Sequence, residues 1–174
     1  MGAFASALEL GIKVGNNSPS DLARWQSLLQ EASDLIRTHR GQMISFVEGD
    51  TVTFGATNDH RLFLPETPIT AITSVTVDGV LQAASTYDFT SWALFHPDGS
   101  TWPNGATVIY SHGYLETSPE FGEYKSLAIR MVQRALFGPQ GEVFGPERVE
   151  AVGWSAQIYL TEEEQIRIGG VAVG

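Results

Sequence analysis

Two amphipathic stripes, far apart in the chain, constrain the fold more than any other feature. From Leu22 onward, apolar residues recur at Trp25, Leu28, Leu29, Ala32, Leu35 and Ile36. That is the i, i+3, i+4, i+7 spacing of a helix with one buried face. Ser18 before Pro19 supplies an N-cap and a proline at the first helical position. Arg37, His39 and Arg40 suit the negative end of the helix dipole, and Gly41 is a natural stop. The spacing predicts a helix over 20–40. A second stripe follows Pro119: Phe121, Tyr124, Leu127, Ala128, Met131, Val132, Ala135 and Leu136. It predicts a helix over 119–137, ended by Gly138-Pro139. Each stripe needs a partner, and the simplest arrangement packs the two helices on each other. Leu22, Trp25, Leu29, Leu127 and Met131 are the expected core of that bundle.

Between the helices the period changes. Short β-like runs fill residues 43–112: Met43–Val47, Thr51–Phe54, Arg61–Leu64, Ile69–Val77, Tyr87–Thr90, Trp92–Phe95 and Thr107–Ser111. Asp78-Gly79 between Val77 and Val80 is a strong two-residue hairpin signal, expected as a type I′ turn. The insertion reads as an antiparallel sheet or small barrel. The expected class is therefore α+β, a two-helix bundle carrying a β insertion and followed by an extended C-terminal segment. Residues 1–19 read as an arm, with at most a turn or two of helix in Ala3–Leu10. Residues 20–151 read as one domain. Residues 152–174 read as a strand (Val152–Tyr159), a helix start (Thr161–Glu164, with Thr161 as N-cap and Glu164 at capping-box spacing) and a glycine-rich tail.

Composition narrows the chemistry. The 174 residues include 20 acidic and 10 basic side chains, for a net charge of −10. Such a balance disfavours a nucleic-acid binder that neutralises phosphates, though not a protein past which DNA slides. No cysteine is present, which excludes disulfides, thiolate metal sites and a cysteine nucleophile. No apolar run reaches membrane-spanning length, and the first residues lack a basic leader region. No Walker loop, GxSxG, HExxH or GxGxxG occurs. No catalytic, cofactor-binding or metal-binding residue is therefore assigned. His112 and the turn aspartates are expected in turn roles; Trp102 lies in a Gly/Pro-rich loop that allows exposure, but core or subunit contact is favoured for the tryptophans over an aromatic sugar platform.

The order of segments carries a resemblance. Leu62-Phe63-Leu64-Pro65-Glu66-Thr67-Pro68-Ile69 leads into Val75-Thr76-Val77-Asp78-Gly79. Trp102-Pro103-Asn104-Gly105 and Tyr110-Ser111-His112-Gly113-Tyr114 follow, and then the helix opened by Pro119. Near the end stands Leu160-Thr161-Glu162-Glu163-Glu164. This co-linear set, over residues 20–164, resembles the head–tail connector (adaptor) proteins of long-tailed, double-stranded DNA phages. The resemblance implies structural work and no enzyme activity. It implies a ring of about twelve copies between the portal and the stopper or tail, in the virion neck, after assembly in the host cytoplasm. The ring would extend the channel through which DNA passes, without sequence-specific binding and without a membrane. The C-terminal segment would engage the portal, here through Trp154, Ile158, Tyr159, Ile166 and Ile168. The tail departs from the family, whose helix commonly continues there. Three other readings are another neck or tail-completion protein, a carbohydrate-binding β module built on exposed tryptophans, and a small acid–base hydrolase using His112 with a turn aspartate.

Overall fold

A computed structural model describes residues 2–15, 18–137 and 158–169. The chain is mixed α+β and divides into two compact units, residues 1–41 with 119–174, and residues 42–118.

The first unit is helical. It contains α1 (Ala7–Val14), α2 (Pro19–Arg40), α3 (Pro119–Phe137) and α4 (Glu162–Ile168). The Ser18 side chain accepts the Asp21 N–H, and Gly41 closes α2 in the left-handed conformation, its N–H donating to the Arg37 carbonyl at 2.8 Å. Trp25, Leu29, Ala32 and Ile36 are buried in α2, whereas Leu22 is half-buried. Leu127 and Met131 are buried in α3, with Phe121, Ala128, Ile129 and Val132. Helix α2 packs against both α3 and α1.

The expected pair of helices thus becomes a packing of three, because residues expected as an arm form α1. Ser6 and Glu9 make a reciprocal capping box at its start, and Gly15 ends it at φ 71°. Phe4, Ala5, Ala7 and Leu10 are buried. The Phe4 ring meets Phe121 edge-on at 5.5 Å, and Glu9 pairs with Lys125 of α3. Ser33, inside α2, accepts the Phe4 N–H at 2.9 Å and donates to the Leu29 carbonyl at 2.6 Å. Ser33→Ala strands that buried N–H, which costs about 1–2 kcal/mol. A fall in urea midpoint with unchanged slope is the expected reading; an unchanged midpoint contradicts it.

The second unit holds two antiparallel sheets. Their strands are β1 (Val47–Phe54), β2 (Arg61–Phe63), β3 (Ile69–Val77), β4 (Val80–Leu81), β5 (Asp88–Phe89), β6 (Ala93–Phe95) and β7 (Ala106–His112). The orders are β1-β7-β3-β4 and β2-β6-β5. Ala106, Val108 and Tyr110 alternate inward on β7, which lies between β1 and β3. They share a core with Leu62, Leu64, Val75 and Leu94. Asp78 and Gly79 have φ of 50° and 78° between the paired Val77 and Val80. Positive φ at both central residues is what a type I′ turn requires. Gly113, just after β7, has φ +83°, and a Cβ there would lie 2.5 Å from the Ser45 carbonyl oxygen.

Candidate assembly surfaces

Residues 158–161 are irregular, and the helix start read at Thr161–Glu164 is realised as α4, which replaces an extended segment over Glu162–Ile168. Thr161 caps α4 through a second capping box, accepting the Glu164 N–H at 3.3 Å while Glu164 accepts the Thr161 N–H at 2.9 Å. Three charged or polar groups of α2 and α3 hold this helix. Arg134 donates to both Glu164 oxygens, at 3.1 and 2.9 Å, and to the Tyr159 carbonyl at 2.8 Å. Its guanidinium also lies 4.7 Å from the centre of the Tyr159 ring. His39 Nε2 meets the Gln165 carbonyl at 3.2 Å, and Arg40 donates to the Ile168 carbonyl at 3.4 Å. Positive charge near a helix C-terminus is favourable, so Arg40 and α4 are matched electrostatically.

Of the five residues expected to meet a portal, Ile158 and Ile168 are buried within the chain itself, and Tyr159 and Ile166 are exposed. Trp154, and the strand expected over Val152–Tyr159 except for its last two residues, lie outside the described residues. Gly170–Gly174 lie outside them too.

Burial opposes the charge on Glu164, but hydrogen bonds from Arg134 and the Thr161 backbone prevail and hold its carboxyl below the ordinary carboxylate range. The hydrogen bond to Glu164 raises Arg134 further, so the cation persists at all working pH. The folded pKa lies below the unfolded one. Ionised Glu164 therefore adds stability above the ordinary glutamate value, and that stability is lost as pH falls through the folded value. Exchange protection of residues 158–169 should fade as pH falls below the ordinary glutamate value, ahead of the α2 core. Simultaneous loss at both places would refute a local effect.

The β unit carries further exposed apolar groups. Phe63 and Trp92 stack with centroids 5.4 Å apart and planes at 17°, and the Arg61 guanidinium lies 5.6 Å from the Trp92 ring centre. On β4, Val80 and Leu81 are exposed. Trp102 does not join them. It is 1% exposed, its indole N–H donates to the His60 carbonyl at 3.2 Å, and its ring stacks on His96. The Gly/Pro-rich neighbourhood that allows exposure instead wraps this ring into the core.

His112 and Asp50 do come together, with Nε2 3.3 Å from Oδ2. His112 is 1% exposed, and among the described residues no polar side chain or backbone group meets its Nδ1. The imidazole is thus shielded, while the Asp50 side chain is 44% exposed. Among the described residues no three His, Asp or Glu are grouped as a metal site, and no helix is long and apolar enough to cross a membrane.

Neither a family model nor a curated protein matches the chain. Solved structures do. A chain from the virion of a native gene transfer agent particle superposes with a TM-score of 0.50 at 17% identity, over 84% of this chain and 86% of that one. A chain from the neck of the empty particle, computed with C6 symmetry, gives 0.49 at 16% identity, over 72% and 76%. One from the neck of the native particle, computed with C12 symmetry, gives 0.45 at 15%, over 62% and 69%. The fold is thus shared with a chain of a gene transfer agent virion over most of both chains.

Proposed function

We propose that this chain is a structural neck protein of a phage-like particle, an adaptor that assembles as a ring between portal and stopper and extends the DNA channel. The observation that carries this reading is the fold shared with a chain of a gene transfer agent virion across most of both chains. The co-linear set from Leu62 to Glu164 supports it independently, since fold alone does not imply function.

In this reading the helical unit is the adaptor bundle and residues 42–118 are its β insertion. The work is mechanical and involves no catalysis or cofactor. The ring has about twelve copies, one per portal subunit. Tyr159 and Ile166 are exposed on the docked C-terminal segment and make the portal contact with Trp154. Ile158 and Ile168 hold that segment in place. The charge of −10 suits a channel wall, because carboxylates repel the phosphates of passing DNA and release it without sticking. The protein is made in the host cytoplasm and ends in the virion neck.

Co-sedimentation of the purified chain with portal rings of the same genome tests this. About one copy per portal subunit is expected, falling at least tenfold for Ile166→Asp. No binding by a well-folded chain overturns the adaptor reading.

A further inference from the structure

The β unit distributes its charge very unevenly. Residues 42–118 contain eight Asp or Glu, and Arg61 is the only Lys or Arg among them. That single cation stands on β2, an edge strand of the three-stranded sheet, beside the Phe63–Trp92 stack. Phe63 is 61% exposed and Trp92 42%. An acidic, apolar partner is repelled from the rest of this unit and attracted here.

The same unit displays a surface of that description. Strand β4 is an edge of the four-stranded sheet, and it exposes Val80 (63%) and Leu81 (68%) immediately after the Asp78-Gly79 turn. Asp78 is itself exposed, its carboxylate accepting from the Asn104 amide. Both patches are open in the single chain, so neither covers the other.

We propose that the β3–β4 hairpin tip of one copy seats on the Phe63–Trp92 platform of the next, with Asp78 facing Arg61. This deepens the ring reading and rests on it. The two patches differ, so the contact is heterologous, the kind that closes into rings when its rotation allows. The aliphatic tip and aromatic platform supply buried apolar area. The Arg61–Asp78 pair, exposed at the rim, supplies choice of partner and register more than affinity. Both edge strands are also covered, which removes two free sheet edges.

The absence of cysteine permits a direct test. Phe63→Cys and Leu81→Cys introduce the only thiols, at two exposed positions that do not threaten folding. Portal-bound or particle-bound double variant is oxidised and run on a non-reducing gel. A ladder rising one chain at a time is expected, with each single variant remaining monomeric. Double variant that is bound at wild-type copy number yet remains monomeric overturns the contact and leaves the adaptor reading intact. Cross-linking of a single variant as strong as that of the double also overturns it, since it means a two-fold contact. Failure of the wild-type chain to bind portals overturns the adaptor reading, and this contact with it. If the thiols prevent binding, Arg61→Glu decides: it should lower the copies bound at least tenfold while Arg61→Lys retains them, and unchanged copies refute the proposal.

Discussion

Gly113→Ala should destabilise the β unit by about 3–5 kcal/mol, near the upper end of single-substitution effects. Two costs combine. The residue sits at φ +83°, where a side chain costs roughly 1–2 kcal/mol. A Cβ would also lie 2.5 Å from the Ser45 carbonyl oxygen and 2.9 Å from its carbonyl carbon. Backbone cannot yield cheaply there. The Phe46 N–H donates to the Tyr114 carbonyl at 2.9 Å, and the Tyr114 N–H to the Ile44 carbonyl at 2.8 Å, so moving Ser45 strains both bonds. Gly79→Ala is the matched control. Its φ is +78°, and nothing lies within 4 Å of the added carbon, so only the conformational cost of roughly 1–2 kcal/mol applies. Urea unfolding of the two variants separates the terms. Equal losses would mean that the close approach of Ser45 contributes nothing.

Arg134→Ala is expected to loosen residues 158–169 by about 3 kcal/mol, because it leaves a shielded carboxylate without its partner. Glu164 loses two charge-assisted hydrogen bonds, and the Tyr159 carbonyl and ring lose theirs to the same guanidinium. A loss of that size corresponds to roughly a 150-fold fall in amide-exchange protection, at about 1.4 kcal/mol per factor of ten. The fall should be confined to this segment, with the α2 core unchanged. Arg134→Lys should give an intermediate loss, since an ammonium keeps the charge but not the paired geometry. Unaltered protection in Arg134→Ala would show that Ile158, Leu160 and Ile168 hold the segment by burial alone.

The features that sequence reasoning reaches are those with a local physical cause. Ser18-Pro19 and Gly41 mark the ends of α2 because capping is decided by a few adjacent residues. The period of α3 shows in the sequence for the same reason, and Asp78-Gly79 sits at a turn that few other pairs can make. Helix α1 gives a faint periodic signal because its buried face, Ala7, Leu10 and Gly11, carries only one large apolar side chain. Leu10 is buried, while Leu8 and Ile12 are exposed. The signal that could have found it is Ser6 with Glu9, the same capping-box spacing as Thr161 with Glu164. Arg134 and Glu164 are 30 positions apart, and no local pattern joins them. The pairing of His112 with Asp50 is likewise a product of strand register, since β1 and β7 must align before the two meet. Arg61 is the opposite case: its solitude is plain in the sequence, but its place beside Trp92 needs the sheet.

The interruption of the helical unit by residues 42–118 also sets a timetable for synthesis. The ribosome makes α1 and α2 first, then 77 residues of β unit, and only then α3. At about 5–20 residues per second, that interval lasts roughly 4–15 s. The β unit is one unbroken stretch of chain, and its central strand β7 is the last strand of it to be made. Leu29 and its neighbours on α2 must wait for α3 to emerge, shielded only by α1. Newborn copies therefore present an uncovered apolar stripe for seconds, a window in which chaperone capture would matter more than it does for the finished protein.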